Sequence, residues 1–263
     1  MTASILEFRN VSFSHGPRLL LDRLSFAIEK QDMVALVGPN GVGKTTLLKL
    51  ASHLLSPQGG EVLLEGKALA DWPRKDLPRT VALVPQELYI PFNFRVEEIV
   101  AQGRVPYQPL FGGGTPTDHE AVERAMEAVD ILPFRQRPYA ELSGGERQRV
   151  KIAIGLAQQA KLMLLDEPTQ HLDIGRQIEL VALLRQLNQS GITIVAAVHD
   201  LNLVAENFSS VLLLTPEPAW IAGSVADVLR PEHLSRAFSV GPSTLAQYCS
   251  DPPFDRRPQA SKG

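Results

Sequence analysis

The segment Gly38-Pro39-Asn40-Gly41-Val42-Gly43-Lys44-Thr45 constrains the fold of this chain more than any other. It follows the apolar run Met33–Val37 and precedes Leu47, Leu48, Ala51, Leu54 and Leu55, which recur at three- and four-residue spacing. A buried strand, a loop and a helix are therefore predicted in that order. Glycines let the backbone curl until several N–H groups face one anion, and the helix start adds the positive end of its dipole. Lys44 supplies a point charge for β- and γ-phosphates, and the Thr45 hydroxyl is a magnesium ligand. The candidate nucleotide set is thus Gly38, Pro39, Asn40, Gly41, Val42, Gly43, Lys44, Thr45 and Thr46.

The rest of the chain alternates in the same way. Ile5–Phe13, Glu61–Leu64, Val81–Val84, Lys161–Leu165, Ile192–Val198 and Val211–Leu214 read as strands. Helices are predicted from Thr117, with Thr117 and Glu120 as a capping box, after Ser143, and from Asp173 through Ile174, Ile178, Val181, Leu184 and Leu187. Such alternation means an α/β fold with a mostly parallel sheet. Periodicity is lost between Pro85 and Gly114, and residues 90–155 read as a helical insertion. After about residue 226 the chain reads as irregular, ending in a mobile tail at Pro252–Pro258. With 263 residues the chain can build its own core. Its 26 basic and 29 acidic residues leave a net charge of −3, which argues against a dedicated nucleic-acid binder. Its longest apolar run, Ile192–Val198, is far short of the roughly 20 residues of a membrane span. One cysteine, Cys249, permits no disulfide within the chain.

Two more segments carry chemistry. Leu162–Leu165 is an apolar strand leading into Asp166 and Glu167. Successive strand residues point opposite ways, so the two acids take different jobs. Asp166 suits the magnesium shell and Glu167 a general base acting on water beyond the γ-phosphate. Leu142-Ser143-Gly144-Gly145-Glu146-Arg147-Gln148 opens a helix with a Ser143–Glu146 capping box. Two glycines in a first turn cost about 1 kcal/mol each, which makes sense where an anion approaches the backbone.

With these segments together, the chain resembles the ATP-binding-cassette ATPases, and Leu142–Gln148 is similar to their signature. The likeness spans about residues 5–240. It implies a P-loop NTPase (RecA-like) core, an N-terminal antiparallel β subdomain and an inserted helical signature subdomain. Residues 1–240 would form one ATPase domain and 241–263 an irregular tail. It further implies a homodimer that closes head to tail on two ATP molecules, with Ser143, Gly144 and Gly145 of one subunit against the γ-phosphate held by the other. Gln86 looks like the glutamine-loop residue, which senses magnesium and contacts the transporter; Thr45, Gln86 and Asp166 are then the metal set. Thr169–Asp173 occupies the D-loop, with Gln170 where serine is usual. Glu167, His199 (the switch histidine) and Lys44 are the expected catalytic residues. Adenine stacking falls to His15, with Phe13 as the alternative.

Phe94–Tyr107, His199–Leu203 and Gly223–Val240 are similar to the subgroup that drives iron–siderophore, haem and cobalamin uptake. That likeness implies an importer ATPase peripheral to the cytoplasmic face of the cell membrane. Integral-membrane permease subunits are its expected partners, a solute-binding protein acts indirectly, and no nucleic acid is involved. Zinc or manganese import and a soluble non-transport cassette ATPase are the alternatives.

Overall fold

The structure, a computed structural model, describes residues 4–90, 92–108 and 114–241. It opens with β1 (Ser4–His15) and β2 (Arg18–Glu29), an antiparallel hairpin turning at Gly16. There follow β3 (Met33–Val37), α1 (Lys44–Ala51), β4 (Gly59–Leu64), β5 (Lys67–Ala68) and β6 (Val81–Val84). The helical stretch holds α2 (Val96–Val100), a 3-10 segment (Ala101–Tyr107), α3 (Pro116–Glu127) and α4 (Gly144–Ala157). The chain then runs through β7 (Leu162–Leu165), α5 (Ile174–Gln189), β8 (Thr193–Ala197), α6 (Leu201–Asn207), β9 (Ser210–Leu214), β10 (Trp220–Ser224), α7 (Val225–Val228) and α8 (Pro231–Phe238).

The strands form two sheets. The four-stranded sheet has the order β2-β1-β4-β5 and is antiparallel. The six-stranded sheet has the order β10-β9-β3-β8-β7-β6, parallel except for β10. Every residue of β3, β7 and β8 is buried, as expected of parallel strands covered on both faces. Strand alternation divides them between two cores. Val34, Leu36, Leu162 and Leu164 join α1 and the antiparallel sheet; Ala35, Val37, Met163 and Leu165 join the helical stretch and α5. Each such leucine is worth about 2 kcal/mol of burial.

Several expectations shift. Thr115 rather than Thr117 caps α3, and Asp118 rather than Glu120 closes the box. Pro116, with its fixed φ, takes the first helical position and sets that start. Between Pro85 and Gly114 the chain forms α2 and the 3-10 segment, each too short to show periodicity. From residue 226 to 241 it is regular: Pro231 starts α8, whose Leu234 and Ala237 are buried. Ile174 and Ile178 are exposed, because α5 buries Leu180, Val181, Leu183, Leu184 and Leu187 instead. Leu54, counted with α1, lies past its end and is exposed. Cys249 and the tail from Pro252 lie outside the described residues.

An ion pair inside the helical stretch gives a direct test of its stability. Arg104 Nε lies 2.8 Å from Asp118 Oδ1, with both side chains buried. Arg104 also donates to Ala157 O at 2.8 Å and stacks 3.7 Å over the Tyr107 ring, joining three elements. The main-chain N–H and hydroxyl of Thr115, then Arg104, hold the Asp118 carboxyl down at about 2 from an ordinary 3.8. A lowered folded value means stability that is present above the unfolded value and lost as pH falls from about 3.8 through about 2. Asp118→Asn, which leaves Arg104 uncompensated, is expected to cost about 3 kcal/mol at neutral pH in denaturant titrations. Wild type and variant should converge as pH approaches 2.

Candidate functional site

The order β3-β8-β7-β6 sets four strand ends side by side. The loop after β3 carries Gly38–Thr45, β8 leads to His199, β7 to Asp166 and Glu167, and β6 to Gln86. In open parallel sheets the crevice beyond the carboxyl ends of the strands is where ligands bind.

The phosphate loop needs its first glycine. Gly38 has φ 148, and a Cβ there would lie 2.5 Å from the Leu214 carbonyl oxygen. Buried Val42 anchors the loop in the core. Lys44 is 4% exposed, and its Nζ donates to the carbonyls of Gly38 at 2.8 Å and Pro39 at 3.2 Å. Burial pulls its ammonium below the ordinary lysine range, while Glu167 and Asp166 oppose that shift. The loop therefore holds a desolvated cation on its own carbonyls, available to an arriving phosphate. Thr45 Oγ1 donates to Asp166 Oδ1 at 3.0 Å. Burial raises the Asp166 carboxyl, the Thr45 bond lowers it, and the nearby Glu167 raises it further. A cavity of about 120 Å³ is lined by Leu20, Gly41, Gly43, Lys44, Thr45, Thr46 and Glu167.

Glu167 is the hub. Its backbone sits at φ 48, in the left-handed region. Its Oε1 accepts from His199 Nε2 at 2.6 Å and lies 3.9 Å from Lys44 Nζ. Its Oε2 accepts from Gln86 Nε2 at 3.4 Å. The expected residues Lys44, Thr45, Gln86, Asp166, Glu167 and His199 thus form one connected cluster. Gln170 joins it by accepting from Gln86 Nε2.

The other expected residues lie apart from this cluster. Ser143 caps α4: its N–H donates to Glu146 Oε2 at 2.7 Å, and its hydroxyl accepts from Glu146 N at 3.4 Å. Gly144 and Gly145 face Leu172 and Arg176, and neither they nor Ser143 line the cavity at the phosphate loop. His15 ends β1 and is exposed, whereas Phe13 packs against the core between the two sheets. His15 is accessible because it is the last residue of the strand, where the core beneath Phe13 has ended. Sequence reasoning passed over Lys151 on α4, which donates to the carbonyls of Pro85 and Gln86. Its signal was its place with Gln148 and Gly155 on the buried stripe of α4.

Magnesium suits this donor set. A hydroxyl, a carboxylate and an amide offer only hard oxygen ligands, and such sites bind magnesium through few side chains plus substrate phosphates. Among the described residues no group of three His, Cys, Asp or Glu side chains forms a dedicated metal cage.

A mainly parallel sheet with a phosphate loop after β3 and an acidic pair after β7, one strand removed, defines a P-loop ATPase. A family model described as ABC transporter matches residues 21–170. The iron(3+)-hydroxamate import ATP-binding protein FhuC of Bacillus subtilis is 36% identical over 248 residues, covering 94% of this chain and 91% of that protein. The ferric enterobactin transport ATP-binding protein FepC of Escherichia coli is 37% identical over 243 residues, covering 91% and 90%. A solved inward-facing structure assigned to a metal-chelate type ABC transporter aligns with TM-score 0.81 and 29% identity, covering 90% of this chain and 89% of that one. The chain belongs to the ABC transporter family. It binds ATP, and its hydrolysis is coupled to transport.

Proposed function

We propose that this chain powers an importer of chelated iron, of the ferric-siderophore class, working as a homodimer that closes on ATP. The observation that carries the site is the convergence of Lys44, Asp166, Glu167, His199 and Gln86 on adjacent strand ends. The iron-chelate transport named for both relatives carries the choice of cargo.

The triphosphate lies along the loop of residues 38–46, held by its main-chain N–H groups (Pro39 has none), and Lys44 turns from the Gly38 and Pro39 carbonyls to the β- and γ-phosphates. The exposed His15 stacks on adenine. Thr45, Asp166 and Gln86 hold magnesium, which when bound neutralises phosphate charge and fixes the phosphate oxygens. Glu167 orients a water and takes its proton as the water oxygen bonds to the γ-phosphorus and the bond to ADP breaks. His199 holds Glu167 from one side and Gln86 from the other. Ser143, Gly144 and Gly145 of a second copy close the pocket with the backbone N–H groups that open α4. That division fits their separation from the cluster within one chain.

The permease docks beside the glutamine loop. Tyr89 and Phe92 follow Gln86 and are 87% and 73% exposed. Leu54 and Val105 are exposed too, and Leu54 borders a groove of about 520 Å³ lined also by His53, Trp72, Leu77 and Leu83. Among the described residues no helix is long and apolar enough to cross a membrane. In this reading the ATPase meets the cytoplasmic face of the membrane through the permease, and a solute-binding protein acts through the permease. The test is to copurify the full chain with its membrane partner and solute-binding protein and to identify the bound ligand. A ferric chelate is the expected result. Zinc or manganese overturns the cargo, and the lack of any membrane partner overturns the importer.

A further inference from the structure

Lys151 is 9% exposed, deep in the middle of α4 between the buried Val150 and Ile152. Its Nζ donates to the main-chain carbonyl of Gln86 at 2.6 Å and reaches that of Pro85 at 3.4 Å. Burial pushes its ammonium below the ordinary lysine range, and Glu87 is the acid that opposes this. A buried ammonium without acceptors is strongly penalised, so these two carbonyls are what the side chain depends on. The same Gln86 gives its side-chain amide to Glu167 Oε2 at 3.4 Å and to Gln170. Gln86 is therefore held at both ends: its main chain by the helix that Ser143 opens, its side chain by the general base and the D-loop.

We propose that Lys151 is a positioning residue for hydrolysis, tying the signature helix to the main chain of the glutamine loop and so fixing where Gln86 meets Glu167. It touches neither substrate nor metal. It makes α4 and the Pro85–Gln86 backbone move as one body, so that a displacement of the signature helix is felt at Glu167. The proposal rests on the roles given above to Gln86 and Glu167.

Lys151→Met is the decisive substitution, because it keeps the length of the stem and removes only the donor. The substitution leaves the Pro85 and Gln86 carbonyls without this donor but also removes a desolvated charge, and the two effects oppose each other, so folding should survive. The full chain is assayed for kcat and KM with ATP, for ATP affinity by calorimetry and for Tm, alongside Lys151→Arg, Gln86→Ala and the double variant Lys151→Met/Gln86→Ala. In Lys151→Met, kcat should fall about tenfold, with ATP affinity within about twofold and a cooperative unfolding transition retained at a Tm lowered by no more than a few degrees. Lys151→Arg, which keeps a charged donor, should restore most of the rate. In the Gln86→Ala background, Lys151→Met should change kcat by less than about twofold, because the residue it acts through is gone. Turnover of Lys151→Met within about twofold of wild type overturns the proposal, as does an equal loss in the Gln86→Ala background. Should Lys151→Met lose its cooperative unfolding transition, Lys151→Gln enters the same cycle and the same outcomes decide. Glu167→Gln assayed in parallel separates the failures. If it keeps its turnover, the reading of the acid fails; if it loses turnover while Lys151→Met does not, only Lys151 is excluded.

Discussion

Glu167→Gln should bind ATP at least as well as wild type and lose turnover by about a hundredfold or more. The amide has the size of the carboxylate and can still accept from His199, whose Nε2 lies 2.6 Å from Glu167 Oε1. It cannot take a proton from water. It also removes a negative charge 3.9 Å from Lys44 Nζ, which relieves repulsion of an incoming triphosphate. Binding without cleavage should trap the closed pair. Single-turnover kinetics measure the first effect, and size-exclusion chromatography with and without ATP measures the second. A variant that stays monomeric in ATP and hydrolyses it at the wild-type rate would exclude Glu167 as the base.

Lys44→Ala should weaken ATP binding by about a hundredfold or more, equivalent to about 2.7 kcal/mol. Lys44 supplies the charge within the phosphate loop, and only 4% of its surface is exposed. A point charge that shielded interacts with phosphate far more strongly than it would in bulk water. Calorimetry gives the affinity. Thermal unfolding gives a second readout, because ligand stabilisation depends on the ratio of ATP to its dissociation constant. At an ATP concentration that raises the wild-type Tm by several degrees, the variant should show no rise. An unchanged affinity would remove Lys44 from the site.

The core of this architecture was legible because its signals are local and dense. Val34–Val37 before Gly38, and Leu162–Leu165 before Asp166, are short apolar runs that stop at chemistry-bearing residues. The connected cluster was legible for the same reason, since each member sits just past such a run. What escaped was set by longer-range packing. The exposure of Ile174 and Ile178 depends on which side of α5 meets the sheet, and a stripe of isoleucines and leucines does not state that alone. The cap of α3 turned on Pro116, which outweighs the Thr117–Glu120 spacing. Lys151 looks like any helix lysine until α4 is laid against the end of β6, where two carbonyls need a donor. Sequence spacing also gives no view of Gln170 meeting Gln86, because 84 positions separate them.

The placement of the strands has a mechanical consequence. β3, whose end carries the phosphate loop, is bonded on both sides, to β8 and β9. Among the described residues β6, whose end carries Gln86, is bonded only to β7 and forms the rim of the sheet. A rim strand has half the ladder to disturb, so its tip yields to a push more cheaply than an interior one. With a permease docked beside Gln86 as proposed, its work would enter at the compliant margin, while the anvil on which the nucleotide is split stays stiff.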